Sequence, residues 1–381
     1  MVTYDTVCFY RAEISGDYHG GKLGISVNSD IKEESIASFP CIINSYWIYR
    51  DAMTAWAGKA PAYNEMTELS GVAASVEPGS QITINKRQFV AFQAYDPDIQ
   101  IKYRYSDTPV DTGEPTQSGK WYEDTESKIT LTVDEDSLVI VWYQALPDPN
   151  NNDKTNIIRI KVNEGVTNTY SQMYLPRNGE ESWHGLPYFF EAAPGTYEIQ
   201  GVFNLNTTGY YHSIKKRNLV AVAIPLDYNF DYIYANNVVT RTSSSASIYS
   251  AGCYNYGVDD DCVVLNTNVT LPSDATMIII GHFRPYLSES NNCYDYYRVK
   301  NFLEIDGTRY SVVANYTANH RTYLNDSSYL LYATDLDAGT HNIKFGLDYA
   351  NFHCSCGGWA TRNYRIVSTQ ESYCVLFLYK S

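Results

Sequence analysis

The sequence predicts an all-β protein: two tandem antiparallel β-sandwich domains of the jelly-roll kind, preceded by an N-terminal module or arm. The first observation behind this prediction is a repeated turn. Residues 193–199 (Ala-Pro-Gly-Thr-Tyr-Glu-Ile) are matched 144 residues later by residues 337–343 (Asp-Ala-Gly-Thr-His-Asn-Ile). In both copies a Gly at the third position leads into a strand, which suits a type II turn with positive φ at that Gly.

Further matches flank the repeated turn in the same order. Residues 129–131 and 138–140 match 269–271 and 278–280 at a spacing of 140 residues, and the turn at 164–165 matches 306–307 at a spacing of 142. Ordered matches at nearly constant spacing indicate a duplicated domain.

Strand-sized apolar segments, separated by clusters of Pro, Gly, Asn and Asp, are the third observation. Each repeat has about eight of them in about 140 residues, which favours a jelly roll. An immunoglobulin-like sandwich is the alternative, but it is typically nearer to about 100 residues and carries a Cys, Trp, Cys spacing that the first repeat does not have. The 36 Tyr residues also favour β structure and exposed aromatic surface.

The predicted domains are residues 1–77, 78–227 and 228–381. The N-terminal module, possibly β, matches neither repeat well, and its segment 45–57 has some helical character before Gly58. It is either an attachment segment or a set of strands that completes the first sandwich.

Charge and hydropathy exclude several classes of partner. The net charge of −15 and the pI of about 4.9 argue against sequence-independent binding of nucleic-acid phosphates. No apolar run approaches the roughly 18 to 20 residues of a membrane-spanning helix. Residues 1–11 show no secretory signal, so we expect synthesis in a cytoplasm.

Cysteines concentrate in the second repeat. The sequence leaves three interpretations of these cysteines open: disulfides, buried thiols and a metal site. If they form disulfides, six cysteines allow fifteen connectivities, and the sequence does not select one. Cys374 lies in an apolar strand and is the best candidate for a buried thiol. The disulfide candidates are Cys253, Cys262, Cys293, Cys354 and Cys356.

The second repeat also has about ten extra residues before its last strand, around 351–359. A loop with an exposed Trp beside two Gly residues is a candidate contact site, since loops carry function more often than strands. The alternative is a covalently pinned loop with the Trp packed onto the sandwich. The candidate contact residues are His353, Gly357, Gly358 and Trp359.

No sequence motif indicates catalysis, a metal or a cofactor. Residues 259–261 (Asp-Asp-Asp) resemble a solvated acidic turn more than a calcium site, because the alternating pattern of an EF-hand is missing. No Gly-x-Ser-x-Gly or His-Glu-x-x-His sequence occurs. We therefore expect a protein that is not an enzyme, with a β-sandwich glycoside hydrolase as a remote alternative whose two acids lie on separate strands.

The tandem jelly-roll pattern from residue 78 onward, the two Gly-Thr turns, the Tyr-, Asn-, Thr- and Ser-rich composition and the cysteine-rich second copy together resemble a family of viral proteins. These are the turret proteins that form the vertex projections of Sulfolobus turreted icosahedral virus. The resemblance is one of architecture and composition, and residues 1–75 lie outside it.

The resemblance implies a structural virion protein of a hyperthermophilic archaeal virus that forms pentameric turrets at capsid vertices and contributes to host attachment. It implies contacts with itself, with other turret or penton-base proteins, with the major capsid protein, and with a host receptor or glycan. In a hot acidic exterior most carboxylates would be protonated, so the acidic surface would lose much of its self-repulsion. A lectin-like carbohydrate-binding protein is the alternative from another functional class.

Overall fold

The computed structural model describes residues 3–16, 21–39, 42–43, 46–47, 50–61, 68–75, 82–94, 96–111, 121–149, 155–168, 171–174, 183–205, 212–239, 246–250, 262–288, 295–310, 315–319, 328–354 and 360–380. Within these ranges every regular element is a β-strand, and every strand pairing is antiparallel. The predicted all-β class is confirmed.

The N-terminal part of the chain forms a sandwich of two three-stranded sheets, β6-β1-β8 and β3-β2-β7, with β4-β5 as a separate pair. Its strands are β1 (Thr3–Gly16), β2 (Gly21–Val27), β3 (Asp30–Phe39), β4 (Ile42–Ile43), β5 (Tyr46–Trp47), β6 (Arg50–Pro61), β7 (Leu69–Ser75) and β8 (Ile82–Gln93).

Two expectations for this region differ from the structure. The helical character predicted over 45–57 is wrong, because β6 is a strand whose side chains alternate between two cores: Met53 and Ala55 face one, and Trp56 faces the other. The predicted boundary at residue 78 assigned the strand at 81–95 to the first jelly roll, whereas β8 pairs with β1. The local sequence reports strand character but does not report the pairing partner.

The first jelly roll contains two sheets, ordered β10-β18-β12-β16 with β9 beside β18, and β11-β17-β13-β14 with β15 beside β13. Its strands are β9 (Gln100–Ser106), β10 (Val110–Asp111), β11 (Trp121–Val133), β12 (Ser137–Pro149), β13 (Thr155–Val162), β14 (Gly165–Val166), β15 (Ser171–Tyr174), β16 (His184–Ala192), β17 (Gly195–Leu205) and β18 (His212–Pro225). The first strand thus pairs with the last and the second with the last but one, as in a jelly roll.

The second jelly roll repeats this order strand for strand, as β19-β28-β22-β26 with β20 beside β28, and β21-β27-β23-β24 with β25 beside β23. Its strands are β19 (Phe230–Val239), β20 (Ala246–Ser250), β21 (Cys262–Leu271), β22 (Ala275–Ser288), β23 (Asp295–Ile305), β24 (Thr308–Tyr310), β25 (Asn315–Asn319), β26 (Ser328–Leu336), β27 (Gly339–Cys354) and β28 (Ala360–Tyr379).

Strand pairing refines the register of the duplication. Val133 lies opposite Gly195 and Leu271 lies opposite Gly339, so Val133 and Leu271 are equivalent and the spacing there is 138 residues instead of the predicted 140. The repeated glycines have φ of 159° and 141°, well above the value of about 80° that a type II turn requires. A backbone with the φ of 141° found at Gly339 is adopted far more readily by Gly than by other residues.

A tight turn identifies a third copy of the same unit. Asn163 and Asp306 have φ of 51° and 52°, and the Oδ1 of each accepts a hydrogen bond from the backbone N–H of Glu198 or Asn342, at 2.9 and 2.8 Å. Asn28 has φ of 50° and accepts the same bond, from the N–H of Glu68 at 2.9 Å. The N-terminal sandwich therefore repeats the two jelly rolls, with β1, β2, β6, β7 and β8 in the places of β12, β13, β16, β17 and β18.

The three sandwiches pack around one shared apolar core, which we call the central core. It is formed by the outward faces of the sheets containing β1, β12 and β22, and its buried side chains include Phe9, Ile140, Trp142, Ile280 and Cys374. Each sandwich also has its own core between its two sheets. Burial of apolar area on both faces makes these three sheets the framework of the molecule.

Candidate functional site

The predicted contact loop is partly strand. Residues 351–354 continue β27, in which His353 lies opposite Tyr296 and Cys354 lies opposite Asp295. Thus part of the ten-residue difference between the copies lengthens strands instead of a loop. Gly357, Gly358 and Trp359 lie outside the described residues, so their role as a contact site stays a prediction.

The cysteine predictions divide in the same way. Cys374 is fully buried in the central core with a free thiol, as predicted. Burial raises the pKa of its thiol, and burial likewise raises the pKa of the free thiol of Cys8 to about 12. Such thiols are poor nucleophiles at neutral pH.

The disulfide candidates are not brought together by the described parts of the chain. Cys262 is buried in the core of the second jelly roll, and the backbone of Cys354 ends β27. Cys253, Cys293 and Cys356 lie outside the described residues, as does the acidic turn at 259–261. Disulfide pairing remains a prediction.

A charged triad is buried inside the first jelly roll. Asp124 on β11, Tyr143 on β12 and Arg217 on β18 are each 0% exposed. Arg217 Nε donates to both carboxylate oxygens of Asp124, at 2.9 and 3.2 Å, and Tyr143 Oη donates to Asp124 Oδ2 at 2.7 Å. Burial first, and then the charge of Asp124, raise the pKa of Tyr143 well above its usual range. The triad fixes three strands of one sandwich at one end of its core.

A glycine makes room for the triad. A Cβ at Gly201 would lie 2.1 Å from Cζ of Tyr143, so only Gly lets the ring of Tyr143 lie flat on β17. The triad is hard to predict from the sequence, because Arg217 follows two lysines and looks like part of an exposed basic run. The signal that could have identified it is a charged residue at the start of the apolar strand 219–225.

Polar side chains also join the sandwiches across the central core. Asn218 Nδ2 donates to the carbonyl of Ala55 at 2.9 Å, and Ser372 Oγ donates to the carbonyl of Pro187 at 2.7 Å. Asn218 and Ser372 occupy equivalent positions of β18 and β28, and Ala55 and Pro187 occupy equivalent positions of β6 and β16. With β8 contacting β26, β18 contacting β6 and β16 contacting β28, each sandwich contacts the other two, so the three form a closed ring.

The central core ends in buried polar groups. Arg11, Gln144 and His282 occupy equivalent positions of β1, β12 and β22 and are 0%, 1% and 1% exposed. Burial first, and then the charges of Arg284 and His184, lower the pKa of His282 to about 3. His282 is therefore neutral at pH 7, and its protonation requires a strongly acidic solution.

The exposed face of the sheet that contains β11, β17 and β13 offers a mixed polar and aromatic surface, which we call the Trp121 face. The guanidinium carbon of Arg159 lies 4.6 Å from the centroid of the Trp121 ring. Nearby, Lys161 Nζ donates to Glu123 Oε1 at 2.5 Å, and this bond, followed by one from Gln200, lowers the pKa of Glu123. Chemically the face can donate and accept hydrogen bonds around one half-buried indole.

The matching sheet of the second jelly roll also places cations over a ring, at another position. Arg309 and Lys344 lie over the buried ring of Phe302 on β23, at 4.6 and 5.5 Å from its centroid. In each of the two jelly rolls, a cationic side chain thus lies over an aromatic ring of this sheet. Among the described residues the large hydrophobic side chains that stay exposed are Ile31 and Tyr103, at 50% and 43%.

Within the described ranges no group of three or more His, Cys, Asp or Glu side chains is arranged to hold a metal ion. The same ranges contain no helix long and apolar enough to cross a membrane.

Known proteins provide few parallels. No family model matches the sequence, and no curated protein does. Among solved structures, the chain is similar to PNGF-II (8% identity, covering 97% of this chain and 100% of that one, TM-score 0.24). It is also similar to the tandem CBM22-1-CBM22-2 domain of Paenibacillus barcinonensis Xyn10C (9% identity, 74% and 92% covered, TM-score 0.19) and to the Gt strain of infectious bursal disease virus (10%, 98% and 72%, 0.20). Similarity at these TM-scores defines neither the fold nor the function of this chain.

The fold and the buried contacts define the class: an all-β protein of tandem jelly-roll sandwiches, which the described residues extend to three related units around a central core.

Proposed function

We propose that this chain is a structural protein of a virion. The observation that carries the proposal is the ring of three sandwiches around the central core, held by the equivalent bonds from Asn218 and Ser372. Jelly rolls are a common building block of viral capsids, and this arrangement uses its buried polar groups for internal contacts. The role that we propose is that of an assembly unit.

The finer proposal is a pentameric turret at capsid vertices, in contact with penton-base and major capsid proteins and exposed to the host surface. Closed cyclic symmetry would place heterologous contacts between neighbouring copies. Neighbours in such a ring can use the acidic, Tyr-rich surface for hydrogen bonds, because Tyr and amide groups bond at any pH below about 10.

Two measurements test these proposals. Mass photometry of the purified protein should give a species at about five times 43.2 kDa, with fivefold rings by electron microscopy. On virions, an antibody against this chain should label the vertices. A chain that stays monomeric at every concentration would remove the pentamer, and the absence of label from virions would remove the structural role.

Carbohydrate binding is a second candidate, because the Trp121 face combines an indole with the hydrogen-bonding groups of Glu123, Lys161 and Gln200. Sugar stacking there requires Arg159 to leave the ring, since its guanidinium already lies over the indole. A glycan array should give signals that Trp121→Ala abolishes and that Tyr103→Ala leaves unchanged. No signal for the wild-type chain would dismiss this function.

A further inference from the structure

The N-terminal sandwich shows six of the eight jelly-roll strands. In the first jelly roll, β9 and β10 pair with the outer edge of β18, and β11 pairs with the outer edge of β17. In the second, β19 and β21 do the same for β28 and β27. In the N-terminal sandwich the equivalent edges are the outer edges of β8 and β7. Each of these strands pairs on its inner side, with β1 or β2, and no strand within the described residues pairs with its outer edge.

Exposure confirms that these two edges leave the sandwich open. Ala91 of β8 is exposed, although its equivalents Ala221 and Val375 are both 0% exposed. On β7, Leu69 is half-buried, whereas its equivalent Ile199 is 0% exposed. Core-facing positions that β11 covers in the first jelly roll are thus accessible to solvent in the N-terminal copy.

The open sandwich retains two of the three members of the buried triad. Tyr10 and Arg87 occupy the positions of Tyr143 and Arg217. The ring of Tyr10 lies against Gly71, just as the ring of Tyr143 lies against Gly201. A Cβ at Gly71 would be 2.4 Å from the ring of Tyr10. Tyr10 is 3% exposed, and Arg87 is exposed, whereas Arg217 is fully buried.

The missing member is the carboxylate. In the first jelly roll it is Asp124, and it comes from β11, a strand that has no counterpart among the described residues of the N-terminal sandwich. None of the described carboxylates forms an ion pair with Arg87. Further along the edge, Phe89 and Ala91 carry no charge, although charged side chains usually protect open strand edges from pairing.

We propose that the N-terminal sandwich is a strand acceptor that binds an extended segment of a different protein along β7 and β8. The segment supplies a carboxylate to Arg87 and Tyr10, as Asp124 does for Arg217 and Tyr143. Beyond that carboxylate it places alternate apolar side chains in the positions of Ile129, Leu131 and Val133, which close the core of the first jelly roll. Main-chain hydrogen bonds give such strand addition its affinity, and the side-chain positions give it specificity. The inference does not depend on the virion role.

The test uses the full chain and a fluorescent peptide that copies residues 122–134, the part of β11 that fills this position in the first jelly roll. Fluorescence anisotropy should show saturable binding of one peptide per chain. Replacing the peptide's Asp124 with Ala should weaken binding roughly tenfold or more, since a charge-assisted hydrogen bond is lost. On the protein, Arg87→Gln should have the same effect and Ala91→Arg should abolish binding.

The controls separate binding from folding. Arg87 and Ala91 are exposed, so both variants should keep the wild-type circular dichroism and melting temperature. Lys102→Gln removes an exposed cation from β9 and should leave peptide binding unchanged. Hydrogen exchange should be faster in β8 than in β18 for the free chain, and slower in β8 when the peptide is bound.

Three results would overturn the proposal. One is the absence of peptide binding to folded protein. A second is protection of β8 equal to that of β18 in the monomeric free chain, which would place the occupant within the same chain. The third is a dimer that protects β8 and is dissociated by the peptide, which would assign the edge to a second copy of this chain instead of a different protein.

Discussion

Replacing His282 with Gln should make the stability of this protein less dependent on acid. His282 is 1% exposed at the polar end of the central core, and Gln is the residue that the first jelly roll has at the equivalent position, Gln144. The substitution keeps a polar side chain of similar size at the site and removes the titrating imidazole.

The direction follows from the two pKa values. In the unfolded chain the imidazole has its ordinary pKa of 6.5, and in the folded protein burial and the neighbouring charges of Arg284 and His184 lower the pKa to about 3. Below pH 6.5 the unfolded state takes up a proton that the folded state does not, so folding stability is full above pH 6.5 and is lost as the pH falls towards 3. The loss is about 1.4 kcal/mol for each pH unit, or roughly 5 kcal/mol over the whole window. That is a third or more of the stability of a typical domain.

Urea unfolding followed by tryptophan fluorescence, at pH values between 3 and 8, measures the effect. The difference in unfolding free energy between wild type and His282→Gln should be constant above pH 7 and should then shift in favour of the variant by about 1.4 kcal/mol per pH unit. Carboxylates titrate in both proteins and cancel in the difference. A difference that stays flat from pH 7 to pH 3 would refute the reasoning.

Three other predictions concern the buried interior. Gly201→Ala should destabilise the protein by about 1–3 kcal/mol in denaturant titrations, because its Cβ would overlap the ring on β12, while Gly165→Ala, with its nearest contact at an ordinary 3.5 Å, should change stability little. Asp124→Ala should lower the free energy of unfolding by about 3–5 kcal/mol, because it leaves the buried guanidinium of Arg217 without its carboxylate. The double variant Asp124→Leu with Arg217→Met should recover much of that stability, because no charge is then buried without a partner. An equal loss of stability in the single and the double variant would contradict the ion-pair reasoning. Peptide mapping after alkylation should find Cys374 unmodified in the native protein and modified in urea; rapid native modification would show that the central core is open.

The sequence indicated the strands and the duplication because both leave local marks. Gly-Thr begins both β17 and β27, and strand-length apolar segments alternate with clusters of turn-forming residues along each repeat. The third copy was not visible in the sequence for two reasons. No Gly-Thr turn begins β7, and the tight turn between β2 and β3 has Asn28-Ser29 where the second jelly roll has Asp306-Gly307. What relates the three copies is a backbone conformation and one hydrogen bond, which several residue types can form.

The sites were less predictable than the fold, for a physical reason. Arg217 becomes a buried ion because Asp124 comes from a strand 93 residues earlier in the chain, and the central core forms only when three distant sheets meet. Burial of a charged group depends on such long-range contacts, which periodicity does not report. The helical interpretation of 45–57 failed likewise, because β6 is buried on both faces.

The acidic exterior implied by the resemblance to turret proteins changes both the net charge and the interior of the chain. Acid protonates the carboxylates near their ordinary pKa of about 4, which takes the net charge from −15 through zero near the pI of about 4.9 and leaves the 28 Lys and Arg and the 7 His as a strongly positive charge at pH 3. Each exposed charge contributes only about 0–1 kcal/mol, whereas the buried His282 costs roughly 5 kcal/mol by pH 3. Positive self-repulsion and the buried imidazole both destabilise the folded state at pH 3, so the isolated chain should melt at a lower temperature at pH 3 than at pH 7. A virion protein exposed to acid would then depend on contacts with neighbouring subunits, which stabilise the folded state by mass action. Calorimetry of the isolated chain and of assembled particles at both pH values tests this, and an isolated chain that is most stable at pH 3 would contradict it.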